Sequence, residues 1–222
     1  MTALPLKSLA AALCLSLASL GASAQQLILS PSNVIGASGS FSTSFLAGLI
    51  FNQQTGTVSD VRGNYWLNPD NTGSNPVFIT IDLGAAYPID SISLFNTHND
   101  SFYDRGTGNF TVRAGNSVTN LGAGNFRLSG TTTNLVSGTL ALVADVTPPE
   151  VVFDVTDTTF YRYLSFEPSS TASLFNAASS TAYGLNEMRV VVSAVPEAST
   201  SAMMLAGVAV LGWLAARRRR PH

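Results

Sequence analysis

The sequence predicts an all-β fold: a jelly-roll β-sandwich of about eight antiparallel strands, with an N-terminal signal helix and a short apolar C-terminal helix at its ends. Three observations predict it. Short runs alternate apolar and polar residues with period two, the pattern of a half-buried strand. Gly, Pro and Asn punctuate those runs at short intervals. No long stretch places apolar residues at helical spacing, so many short strands must pack on one another.

Taken in order, the chain opens with MTALPLKSLAAALCLSLASLGASAQQ, in which one charge, Lys7, precedes an apolar run from Leu9 to Leu20. Small residues Ala22-Ser23-Ala24 close it. This is the layout of a secretory signal peptide over residues 1–24, cut before Gln25. About a dozen apolar residues are too few to span a ~30 Å hydrocarbon core. The single cysteine, Cys14, lies inside this segment. A mature chain starting at Gln25 therefore holds no disulfide or thiolate metal site, and core burial must supply its stability.

Residues 25–193 are of ordinary size for one domain. Phe45 to Phe51 reads as a short helical turn. In Phe78–Leu83, Ile79, Ile81 and Leu83 share one face, and Ile92 and Leu94 do so in the next run, Ile89 to Asn96. Phe110 and Val112 alternate with Thr111 and Arg113; Val151, Phe153 and Val155 with Val152 and Asp154. Leu164 and Phe166 flank Ser165, and Met188, Val190 and Val192 flank Arg189 and Val191. Turns are expected at Gly84–Pro88, Gly106–Gly108, Gly115-Asn116, Gly122–Gly124 and Pro148-Pro149. The expected shared core comprises Ile79, Ile81, Phe110, Leu164 and Val190.

Residues 194–222 differ in kind. Ala202 to Ala216 is apolar, a helix of about 22 Å at ~1.5 Å per residue and marginal for a membrane span. Arg217, Arg218, Arg219 and Arg220 follow and would stay cytoplasmic. The net charge of −2 conceals an asymmetry. Lys7 and the four terminal arginines remove five of the eleven basic residues from the domain; Glu197 removes one of thirteen acidic ones. The domain keeps six arginines, no lysine and twelve carboxylates, close to −6. That argues against nucleic acid or an anionic membrane surface as partner, since both require clustered positive charge.

No constellation points to catalysis. The histidines are His98 and His222, so a Ser-His-Asp triad would need His98, and no serine sits in a G-x-S-x-G elbow. There is no H-E-x-x-H or Cys/His cluster for zinc. Asp100 and Asp104 lie on an Asn-rich loop, where carboxylates are usually solvated or metal-bound. Binding is the better hypothesis. Asn96 to Arg105 is dense in planar hydrogen-bonding groups and aromatic rings and joins two strands. Arg, Asn and Asp suit the hydroxyl pairs of a sugar, and Tyr or Phe its apolar face. Asn, Asp and Gly also populate long β-loops for backbone reasons alone, so a purely structural loop is the competing reading.

Two resemblances extend this. Val195-Pro196-Glu197, a Ser/Thr stretch, the glycine-containing apolar run and Arg217–Arg220 together resemble the PEP-CTERM sorting signal, with Ala198 where the third motif residue is usually Pro. The resemblance implies an exosortase as processing partner and a Gram-negative host with an extracellular polysaccharide system. It also implies passage through the inner membrane and a final place at the cell surface or in the matrix. The second lies in the middle of the chain. Trp66 in NYWLNP, the run FITIDLG, IDSISLFN, THNDSFYDRGTGNFTV, FYRYLSF and GLNEMRVVV follow one another in an order similar to the discoidin, or F5/8 type C, superfamily of galactose-binding-like jelly rolls.

By that resemblance His98, Asn99, Tyr103 and Arg105 are the candidate carbohydrate contacts. It also implies a structural Ca²⁺ between an early loop and the last strand, with Asn52, Asn64 and Glu187 as candidate ligands and Asp60 nearby; Asn52-Gln53 replaces the usual Asp-Gly. Pairing with an arginine is the other reading of Glu187. Trp66 is expected in the core, and Asp82 and Arg162 in a turn or an ion pair. The function expected is a non-catalytic surface or matrix protein that binds carbohydrate. The alternative is a structural surface protein without a small ligand.

Overall fold

The computed structural model describes residues 24–55, 64–69, 76–97, 105–143, 147–173, 182–193 and 207–212. Residues 24–193 form one compact unit, and the two chain ends form another. Residues 1–23 of the expected signal peptide and most of 202–216 lie outside the described residues. Within the second, residues 207–212 are helical. No described helix is long and apolar enough to cross a membrane.

The described residues of the domain form nine strands: β1 Gln25–Gln26, β2 Val34–Ala37, β3 Trp66–Asn68, β4 Ile79–Asn96, β5 Asn109–Asn120, β6 Phe126–Thr139, β7 Glu150–Asp154, β8 Phe160–Pro168 and β9 Tyr183–Val192. All their ladders are antiparallel. One sheet runs β9–β4–β7, with β1 and β3 added to the far edge of β9. The other runs β2–β4–β8–β5–β6.

The two runs expected as separate strands are thus one element of 18 residues. Residues 79–82 and 87–88 of β4 pair with β8, and residues 89–96 pair with β9. The Gly84–Pro88 signal marks a corner where the strand changes sheet. Gly84 takes φ 85, and the pairing with β8 jumps from Asp82 to Tyr87. Pro88 lacks an N–H, but its carbonyl accepts from Ser193 N at 3.1 Å. Gly115-Asn116 is not a turn either; it is a bulge inside β5. Gly122–Gly124 does turn the chain, closed by Leu121 N donating to Asn125 O at 2.7 Å.

Alternation sorts the side chains as expected. Ile79, Ile81, Phe110, Leu164 and Val190 all lie in one buried cluster. Trp66 has no exposed surface; its Nε1 donates to Gly39 O at 3.1 Å and its ring meets Phe166 edge-on at 6.3 Å. Phe166 in turn stacks on Phe110 at 5.8 Å. Each such side chain contributes roughly 1.5–3 kcal/mol by leaving water, and no cross-link is needed.

Asp82 and Arg162 tie the corner. Arg162 donates from Nε and Nη2 to the two Asp82 oxygens, both at 2.9 Å, and Gly84 N donates to Asp82 Oδ1 at 2.8 Å. The Arg162 hydrogen bond holds the Asp82 pKa below the usual 3.8; burial opposes it, and the Gly84 N–H and the Arg162 charge add to the lowering. Asp82 therefore fixes the corner through the Gly84 N–H and pairs with Arg162 in bidentate geometry at once.

Candidate functional site

The expected binding loop has a rigid root. Asn96 ends β4 and is 3% exposed. Its Nδ2 donates to Thr107 O at 2.9 Å and Ala141 O at 2.8 Å, and its Oδ1 accepts from Thr97 N and Thr107 N, both at 2.9 Å. One amide thus joins the two ends of the loop, with four partners for its polar atoms. Thr107 Oγ1 adds a bond to Gly184 O at 2.8 Å. Between them, Gly106 has φ 136, and a Cβ there would meet Asn96 Oδ1 at 3.2 Å. Only glycine satisfies both demands without strain.

Of the four candidate contacts, His98, Asn99 and Tyr103 lie outside the described residues, as do Asp100 and Asp104. Arg105 is described. It is half-buried and bridges in parallel to Ala182, next to Gly106 N donating to Ala182 O at 3.0 Å. The backbone at Arg105 is therefore built into the frame. Asn96, the first residue of the expected loop, is its clamp.

The structure brings two of the three proposed calcium ligands together and sets the third beside their loop. Asn52 Nδ2 donates to Asn64 O at 3.2 Å, and Asn52 Oδ1 accepts from Gln54 N at 2.9 Å. The Asn52 side chain is thus engaged in tying its own loop. Gln53 takes the left-handed φ of 62, the conformation a glycine would adopt at this point.

Glu187 follows from the alternation of β9. Met188 and Val190 join the core; Glu187 does not, yet it has no exposed surface. Neither carboxylate oxygen has a hydrogen-bond partner within normal geometry. Burial pushes its pKa up to about 7, while Arg189 and the Gln53 N–H oppose the rise. The expected arginine partner is taken: Arg189 pairs with Glu150 at 3.7 Å and lies over the Phe95 ring at 4.6 Å. A fully buried carboxylate whose oxygens make no hydrogen bond of normal geometry among the described residues fits a hard cation that accepts oxygen ligands. Asp60 is outside the described residues, and among those described no three His, Cys, Asp or Glu side chains converge.

One feature escaped sequence reasoning. Arg113 and Arg127 meet Glu167 around a solvent-facing hollow of about 570 Å³ on the second sheet. Arg113 Nε lies 3.3 Å from Glu167 Oε2, and Ser165 Oγ donates to Glu167 Oε1 at 3.1 Å. The signal was present, since Arg113 and Glu167 each occupy a polar position of an alternating strand. Their meeting needed the pairing of Arg113 with Ser165 across β5 and β8.

Known structures with this architecture are carbohydrate-binding modules and F5/8 type C domains. A family 32 module, CBM32-3, of a family 31 glycoside hydrolase from Clostridium perfringens is 15% identical over 75% of this chain and 95% of its own, with TM-score 0.51. An F5/8 type C domain from Bacteroides fragilis is 8% identical over 72% of this chain and 91% of its own, with TM-score 0.50. The family 32 module of Clostridium perfringens NanJ, solved with galactose, reaches TM-score 0.49 at 14% identity over 76% and 99% of the two chains. The fold is therefore a jelly-roll β-sandwich similar to these domains. Beyond that domain, the chain carries the PEP-CTERM protein-sorting motif over residues 194–220. No curated protein sequence matches the chain.

Proposed function

We propose that this protein is an exported, non-catalytic module that binds carbohydrate at the cell surface or in the matrix after sorting by an exosortase. The observation that carries the reading is the clamped root of the Asn96–Arg105 loop. Asn96, at the end of the internal strand β4, and Gly106 fix both ends of a polar, aromatic segment, as specific recognition requires. His98, Asn99, Tyr103 and Arg105 supply the hydroxyl-binding and stacking groups. Ca²⁺ is a structural ion of this domain, held by Glu187 and the carbonyl oxygens of the loop from Asn52 to Asn64. The sandwich architecture and the sorting motif support the reading.

A glycan array, followed by calorimetry on its hits, tests it. Arg105→Ala abolishes binding with the melting temperature nearly unchanged; a large loss of stability instead assigns Arg105 to the frame alone. Absence of binding to any exopolysaccharide removes the proposal. One observation favours homotypic packing as a second reading. Strand β6 ends its sheet, runs for 14 residues and carries Arg127 as its single charge, so little deters edge-to-edge pairing. Growth of the scattering mass with concentration would favour that reading.

A further inference from the structure

We propose that the hollow beside Arg127 is half of a trough that binds the backbone of an acidic polysaccharide. Arg127 meets a sugar carboxylate, and the Arg113–Glu167 pair meets ring hydroxyls. The proposal rests on the carbohydrate reading above but places a second site away from the loop.

The trough extends beyond the first hollow. A neighbouring hollow of about 310 Å³ shares Pro76, Arg113 and Glu167 with it and continues to Thr111 and Ser169. The Arg113–Glu167 pair therefore stands where the two meet, and the combined trough crosses β6, β5 and β8. Either hollow has the volume of a small-ligand site, ~300–1,000 Å³. Two in series suit consecutive residues of a polymer better than one terminal sugar.

The local fold shapes the trough. Pairing of β5 with β6 slips at Gly115–Ser117, and Gly130 of β6 takes φ 71. Bulges of this kind bend a two-stranded ribbon. The first hollow is lined from both sides of the bend, by Arg113 and Thr132 before it and by Thr119 and Ser129 beyond it.

The chemistry follows from which arginine is already neutralised. Arg113, Arg162 and Arg189 each lie within 3.7 Å of a carboxylate oxygen. Arg127 instead lies over the Phe78 ring, its guanidinium carbon 5.1 Å from the ring centre. Stacking orients the planar fork, and among the described residues no carboxylate compensates its charge, which suits bidentate capture of a carboxylate. Paired Arg113 and Glu167 offer a donor and an acceptor side by side, matched to a vicinal diol. The trough holds one net positive charge in a domain near −6. A sparsely acidic polymer fits that field better than a dense polyuronate, whose further charges would be repelled.

Affinity electrophoresis and calorimetry of the full chain test this with xanthan, carboxyl-reduced xanthan, polygalacturonate and a neutral galactan. Xanthan should bind at least tenfold more tightly than its reduced form and more tightly than polygalacturonate. Arg127→Gln should bring xanthan down to the level of the reduced polymer. Ser129→Trp, which fills the trough without entering the core, should weaken both by tenfold or more at an unchanged melting temperature. Arg105→Ala should leave xanthan binding intact. Failure of wild type to bind either acidic polymer, or equal binding by Arg127→Gln, overturns the trough. If galactan is still bound and lost in Arg105→Ala, the trough fails while the loop reading stands; if no polymer binds, both fail.

Discussion

Glu187→Gln probes the least comfortable group in the domain. The wild-type carboxylate is fully buried, and among the described residues neither of its oxygens makes a hydrogen bond of normal geometry. Its pKa rises from 4.5 to about 7. At about 1.36 kcal/mol for each pH unit, the ionised form costs the folded state at most roughly 3 kcal/mol. The sign is that of a raised acid. The cost is absent below pH ~4, where the group is protonated in both states, and complete above pH 7. At pH 8 in EGTA, the neutral amide should therefore raise stability by about 1–3 kcal/mol. Calcium should offset most or all of that difference. At 10 mM and a dissociation constant near ~10⁻⁴ M, typical of extracellular calcium modules, binding adds about 2.7 kcal/mol. For a domain of this size that is roughly 5–11 °C in melting temperature. Scanning calorimetry of both proteins at pH 8, with EGTA and with calcium, reads all four states. Calcium should raise the melting temperature of wild type and leave that of Glu187→Gln unmoved. An equal calcium response in the variant would remove Glu187 from the ion, and a variant less stable than wild type in EGTA would refute the desolvation argument.

Further outcomes follow from single contacts. Trp66→Ala removes a fully buried ring, its contact with Phe166 and the bond to Gly39 O, and should cost about 3–5 kcal/mol in urea unfolding. Asn96→Ala strips four partners from the loop root and should cost about 2–4 kcal/mol; hydrogen exchange at the Thr97 and Thr107 amides should accelerate with it. Asp82 has a lowered pKa when folded, so its contribution is complete above the unfolded value near 4 and fades as pH falls through the folded one. Acid titration of stability should show this loss in wild type and a shallower one in Asp82→Asn.

Much of this protein could be read locally. Strand faces emerge from period-two alternation because a pleated strand sends successive side chains to opposite sides, so Ile79, Ile81, Phe110, Leu164 and Val190 could be grouped before any strand was paired. The tail was equally legible, since a sorting motif is read as a linear segment. Alternation even set Glu187 apart from Met188 and Val190. Tertiary structure decided the remainder. Strand β6, Phe126–Thr139, lacks clean alternation and exists because β5 supplies its hydrogen bonds. The Gly84–Pro88 signal could not distinguish a turn from a corner, because the difference lies in whether β8 and β9 take up the backbone on either side. Asn96 as clamp, Glu187 without a partner and Arg127 without a carboxylate are statements about neighbours distant in sequence. Residue type and spacing set which groups a strand presents, but only the packed sheets set what each one meets.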